Sequence, residues 1–94
     1  MNEAEIYKNT IDLWGEAFQK LMVIEECAEL ISAICKQFRN RVDDSKVLEE
    51  AVDVQLMINQ LRFVLNDNEK WNEQMKYKLD RLESRIKGEE NANR

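Results

Sequence analysis

Five carboxylates stand where helical spacing can gather them. Glu25, Glu26 and Glu29 fall in one stretch of the chain, and Glu50 and Asp53 in a second, about twenty residues on. Residues three apart on a helix share a face one turn from each other, so Glu26 pairs with Glu29 and Glu50 with Asp53. The apolar seam of the second stretch reads Val47, Glu50, Val54, Met57, Leu61 and Val64, with Asp53 beside it. Glu50 therefore takes a place that spacing assigns to a buried hydrophobe. A carboxylate turned inward is costly unless something pairs with it. No lysine or arginine shares that stretch of the seam, so the expected partner is a cation from solution. It should be a hard one, because every candidate ligand is an oxygen. Glu25, Glu26, Glu29 and Glu49 alone would read as solvated helix charges; Glu50 is the residue that this plainer reading does not explain. A di-iron carboxylate bundle expects Glu-x-x-His pairs, and the chain has no histidine.

The elements that position these acids are helices. Within 94 residues there is no proline, and glycine occurs only at positions 15 and 88. Hydrophobic residues make up 44% and charged ones 35%, which argues for one folded domain over residues 1–87 and a frayed polar tail over 88–94. A first helix is expected from about Glu3 to Trp14, with Ala4, Tyr7, Ile11 and Trp14 as its apolar stripe and Gly15 as the break. A second runs from about Glu16 to Phe38. Its apolar residues Ala17, Leu21, Ile24, Ala28, Ile31, Cys35 and Phe38 form an unbroken seam, and Val23, Cys27, Leu30 and Ile34 widen the apolar arc past half the circumference. Gln19, Met22, Glu26, Glu29 and Ala33 make a separate line. An arc that wide needs cover on two sides, and a second copy of the chain is the natural second cover. A homodimer or a tetramer is expected.

A polar loop over 40–45, capped by Asp44 or Ser45, leads to a third helix from about Lys46 to Leu65. Asn66-Asp67-Asn68-Glu69 reads as a turn and capping box opening a fourth helix to about Lys87, with Trp71, Met75, Leu79, Leu82 and Ile86 as its stripe. Lys78, Arg81 and Arg85 form a basic line beside that stripe, able to meet phosphate or to serve as surface ion pairs. The net charge of −5 disfavours a nucleic-acid polymer as partner. No apolar run approaches a membrane span and no secretory pattern opens the chain, so a cytoplasmic location is expected. Cys27 and Cys35 then stay reduced, as small core hydrophobes.

Glu25-Glu26-x-x-Glu29 followed by Glu50-x-x-Asp53 resembles the EExxE…ExxD signature of the MazG-like all-α nucleoside-triphosphate pyrophosphohydrolases. Trp14-Gly15-x-x-Phe18-Gln19, Glu29-Leu30-Ile31-x-Ala33-Ile34 and Glu49-Glu50-x-x-Asp53-Val54 are similar as well. Lys78-Leu79-x-Arg81-Leu82-x-x-Arg85 looks like the tail of small phage and Gram-positive members. The resemblance spans residues from about Ile6 to Ile86. It implies an all-α, four-helix MazG-like bundle completed by oligomerisation. It also implies hydrolysis of a nucleoside or deoxynucleoside triphosphate to the monophosphate and pyrophosphate. Glu26, Glu29, Glu50 and Asp53 would then be ligands of Mg2+, with Mn2+ able to substitute, and Glu25 would orient or deprotonate the attacking water. Trp14 and Gln19 would meet the base, as that region does in some relatives, while Lys78, Arg81 and Arg85 would meet the phosphates. The competing functions are a helical interaction module without turnover and a nucleotide or metal sensor.

Overall fold

Side-chain caps at the starts of the first, third and fourth helices supply what the terminal turn lacks. The computed structural model describes residues 1–92, and these form four α-helices and no strand. Helix α1 is Glu3–Trp14. The Asn2 side chain accepts from the Glu5 N–H at 2.8 Å, and Glu3 and Glu5 place negative charge at the positive end of the helix dipole. Gly15 ends α1, its N–H donating to the Ile11 carbonyl at 2.8 Å, and the next helix starts at once. Its φ of 85° and ψ of 161° lie in a region that only glycine enters freely.

Helix α2 is Glu16–Phe38 and α3 is Asp44–Leu65. The loop between them turns at Asn40, which takes a positive φ of 56°. The cap of α3 is Asp43, one residue ahead of the expected Asp44 or Ser45; its Oδ1 accepts from the Ser45 N–H at 3.0 Å and the Ser45 hydroxyl at 2.7 Å. Asn66 closes α3 in the left-handed conformation, and the Asp67 side chain accepts from the Lys70 N–H at 3.0 Å to open α4, Asn68–Ala92. That helix continues through Gly88 instead of stopping at about Lys87. Of the tail expected to fray, residues 93 and 94 lie outside the described residues.

Helices α2 and α3 form the main packed pair, with α1 against both. Tyr7 is the buried anchor of α1: its ring sits 6.3 Å from that of Phe63, and its hydroxyl donates to Glu3. The other buried apolar residue among those described is Ala33, while Gln19, Glu50 and Gln60 are buried polar ones. The α3 seam is placed as its spacing predicts, with Glu50 buried and Val47, Val54, Met57, Leu61 and Val64 half-buried.

The α2 seam is not. Leu21, Ile24, Ile31 and Phe38 are 62%, 66%, 64% and 86% exposed, and Ala17, Ala28 and Cys35 are exposed with them. The helix turns toward α3 the line of Gln19, Met22, Glu26 and Ala33, supported by Val23, Cys27 and Leu30. Of the two cysteines expected in the core, Cys27 is half-buried and Cys35 faces out, both as free thiols. In α1 Ala4 and Trp14 are exposed, leaving Tyr7 and Ile11 as the buried part of the stripe. In α4 Met75, Leu79, Leu82 and Ile86 are exposed, because α4 packs along no other helix of the chain. One chain alone therefore builds a three-helix unit with an extended arm and not a four-helix bundle. Its radius of gyration is 17.4 Å where a compact chain of this length has about 12 Å. It exposes 7623 Å² where a compact monomer of its mass exposes about 5,700 Å².

At Gly15 a Cβ would meet nothing within 4 Å, so substitution there is opposed by backbone conformation alone. Gly15→Ala should lower stability by about 1–3 kcal/mol. Urea unfolding at matched protein concentration should show a lower midpoint with an unchanged slope.

Candidate metal centre

The order of cross-helix pairs shows that α2 and α3 run antiparallel. Gln37 donates to Asp44 beside the connecting loop, Glu26 and Glu29 meet Glu50 further along, and Glu26 feels the charge of Asp53 one turn beyond that. As positions fall along α2 they rise along α3. Antiparallel pairing is what brings two acidic pairs of equal i, i+3 spacing face to face, and the same progression sets Gln19 level with Gln60.

One carboxylate oxygen from each of Glu26, Glu29 and Glu50 lies within 4.8 Å of the others. Opposite oxygens around a magnesium ion stand about 4.2 Å apart, so the three need only a small inward movement to share one. Glu50 is 7% exposed, Glu26 half-buried and Glu29 at the solvent edge. The Oε2 atoms of Glu26 and Glu50 are buried without any hydrogen-bond partner. Unpaired buried carboxylate oxygens are costly, and their presence in two residues of one cluster marks a place where a cation fits.

The seam itself carries no lysine or arginine, but the expectation that the partner of Glu50 comes from solution is corrected by a lysine beside the seam. Lys46, one turn before Glu50, places its Nζ 2.9 Å from Glu50 Oε1 and 4.0 Å from Glu49. Its ammonium lies in the first turn of α3 and extends along the helix to the acid. Lys46 was legible as an i, i+4 partner of Glu50, but it lies off the apolar seam on which attention fell. Gln60, buried with an unpartnered Oε1, was missed for the same reason.

The electrostatics follow from the crowding. Burial raises the Glu26 pKa above its ordinary 4.5, and repulsion from Glu29 and Asp53, a hydrogen bond shared with Glu29, and Glu50 raise it further. The hydrogen bond that Lys46 donates to Glu50 and the fields of Glu49, Glu50 and Glu29 hold the ammonium pKa above the usual lysine value, against the opposing effect of burial. The Lys46 ammonium is therefore the positive charge that the chain itself brings to the cluster, and Glu26 holds a proton more tightly than an ordinary glutamate does.

The remaining predicted residues are distributed unevenly. Asp53 is half-buried and flanks the cluster without joining the three closest oxygens. Glu25 is exposed, one turn before Glu29 on the solvent side of α2. Gln19 is buried on the line that leads to Glu26. Trp14 is 58% exposed, with its ring 6.0 Å from Phe18. Lys78, Arg81 and Arg85 are exposed on α4, where Arg81 lies over the Tyr77 ring at 5.8 Å. A cavity of about 510 Å³ occupies the α3–α4 elbow, lined by Arg62, Leu65, Asp67, Trp71, Met75 and Lys78 among others, and none of Glu25, Glu26, Glu29, Glu50 and Asp53 borders it. The chain therefore brings Glu26, Glu29 and Glu50 together, with Asp53 adjacent, and does not bring the α4 basic line to them. Among the described residues no helix is long and apolar enough to cross a membrane. The chain matches no family model, and neither curated proteins nor solved structures include a match to it.

Because the folded state raises the Glu26 pKa, the folded protein binds the proton more tightly than the unfolded chain does. That stabilisation is complete below pH 4.5 and is lost as pH rises through the higher folded value. Metal-free stability should therefore fall with rising pH across that window, and saturating Mg2+ should flatten the slope by taking the proton's place. Chemical unfolding as a function of pH, with EDTA and with Mg2+, checks both slopes.

Proposed function

We propose that the protein is a magnesium-dependent hydrolase that cleaves a nucleoside or deoxynucleoside triphosphate to the monophosphate and pyrophosphate. The observation that carries this reading is the pair of buried, unpartnered oxygens of Glu26 and Glu50, focused with Glu29 on one point between α2 and α3. The likeness of the two acidic pairs to the MazG-like signature supports it, since the antiparallel helices bring the halves of that signature to one place. Glu26, Glu29 and Glu50 would hold the ion, with Asp53 completing the set. When bound, magnesium neutralises phosphate charge and acidifies a water. Glu25, at the solvent edge one turn from Glu29, is assigned to orient that water and accept its proton.

The rest of the proposed substrate site draws on more than one chain. The exposed α2 seam, the exposed α4 stripe and an excess of about 1,900 Å² over a compact monomer are what an obligate interface would cover. A homodimer, or a tetramer built from it, would allow Lys78, Arg81 and Arg85 of a neighbouring copy to meet the phosphates, with Trp14 and Gln19 directed to the base. A cytoplasmic setting fits this chemistry, where nucleotides, magnesium and reduced thiols coexist. A sensor that binds metal and nucleotide without turnover is the second reading, favoured by the absence of the α4 cations from the acid cluster within one chain.

Phosphate release coupled to an added inorganic pyrophosphatase, across the eight common NTPs and dNTPs, should reveal magnesium-dependent turnover. Glu50→Gln should reduce it by about 100-fold or more while leaving metal-free stability equal or higher, because the repulsion among Glu26, Glu29 and Glu50 is relieved and the half-exposed Lys46 returns to water. Turnover unchanged in that variant would refute the ligand assignment, and metal binding without turnover on any nucleotide would favour the sensor. Light scattering at micromolar concentration should give a mass of two chains or four.

A further inference from the structure

We propose that Lys46 is a built-in stand-in for the divalent cation, holding Glu50 while the centre is free of metal and withdrawing to solvent when an ion enters. This rests on the metal-centre reading and adds to it a residue outside the acidic signature.

Three observations converge on Lys46. The first is its place. It is the third residue of α3, where the helix dipole disfavours positive charge, and its partners are the nearby Glu49 and Glu50. The second is the asymmetry of the pair. The Glu50 side chain is 9% exposed and fixed between the helices, while that of Lys46 is 47% exposed. The ammonium enters from the solvent side, so the lysine can retract into water without reopening the helix pair. The third is incompleteness. Lys46 reaches Glu50 Oε1, but the Oε2 atoms of Glu50 and Glu26 keep no partner. A single ammonium therefore relieves part of the cluster's charge, and a doubly charged ion bridging several carboxylates relieves more. Crowding an ammonium against that ion would be repulsive, so ion entry and lysine withdrawal form one exchange: one positive charge leaves and two arrive.

Titrating Mn2+ into the full-length protein by calorimetry tests the exchange, together with thermal unfolding in EDTA and in saturating Mn2+. Lys46→Met should bind Mn2+ about tenfold more tightly, because the ion no longer displaces a charge-assisted hydrogen bond. In EDTA it should unfold about 4–8 °C below the wild type, and in saturating Mn2+ at the wild-type temperature. Lys46→Arg, which keeps a cation on the same turn, should retain near wild-type affinity. Lys46→Gln should rank with the methionine variant and replaces it should that variant fail to fold. Affinity equal to or below wild type in both neutral variants overturns the proposal. So does a thermal deficit that persists under saturating Mn2+, which would mean that the lysine stays in place when metal binds. Absence of Mn2+ binding by the wild type is a different result, since it removes the metal centre itself and this proposal with it.

Discussion

The carboxylates of Glu26, Glu29 and Glu50 share one small volume between two helices, and this constraint shapes most of what surrounds them. Acids so close repel, and burial strips away the water that would screen them. A hairpin of two helices ordinarily closes over aliphatic side chains. This one closes over Gln19, Glu26, Glu50 and Gln60, with Ala33 as its buried apolar residue. The aliphatic material is displaced outward to Leu21, Ile24, Ile31 and Phe38. Stability drawn from apolar burial must then come from beyond the hairpin, through the Tyr7 anchor of α1 and through surfaces that one chain leaves open.

Three positive species compete for this volume, and they differ in reach as well as charge. Burial and three neighbouring acids raise the Glu26 pKa, so a proton is held there more tightly than on an ordinary glutamate. The Lys46 ammonium settles on Glu50 at 2.9 Å and is tethered to α3, so it reaches no further than its side chain allows. A divalent ion is untethered and can contact every oxygen that points inward. The first two satisfy one carboxylate each. The third satisfies the cluster as a unit, which is why the orphan oxygens of Glu26 and Glu50 point to it more firmly than the count of acids does. Acid pairs are common on helix surfaces; buried ones without partners are not.

Much of α3 was readable from spacing alone. A single apolar seam interrupted by Glu50 has one natural orientation, and the half-buried run from Val47 to Val64 follows it. The α2 helix carries two usable faces, and periodicity identifies a face without saying which way it turns. The wide apolar arc, with the seam from Ala17 to Phe38, is expected to need cover on two sides, one of them from another copy; within one chain the structure turns Gln19, Met22, Glu26 and Ala33 inward and leaves that seam open. On the proposed reading the local cause is α3: with Glu50 facing inward, its acidic counterparts on α2 would face it to share a cation. Lys46 escaped notice because ion pairs along a helix follow i, i+4 spacing and need not lie on a seam. The break at Gly15 was legible because a glycine between two strongly helical runs has a specific backbone use. The fate of α4 was not, since an amphipathic stripe records that something covers it and says nothing about whose surface does so.

The arrangement of open faces constrains the proposed assembly further. The α2 seam and the α4 stripe are two apolar surfaces on one chain, and α4 projects far enough that it packs along neither α2 nor α3 of its own chain. If α4 of each copy covered α2 of a different copy in head-to-tail fashion, every added chain would leave one face of each kind free, and the assembly would propagate or have to close as a ring. Mutual exchange between two copies satisfies both faces at once and closes with a two-fold axis. It also converts the basic line of α4 from an isolated surface feature into something delivered to another chain. The packing that places the acids inside one hairpin leaves the α4 cations outside it, and in the proposed assembly a finite exchange between copies would be the means by which the two meet.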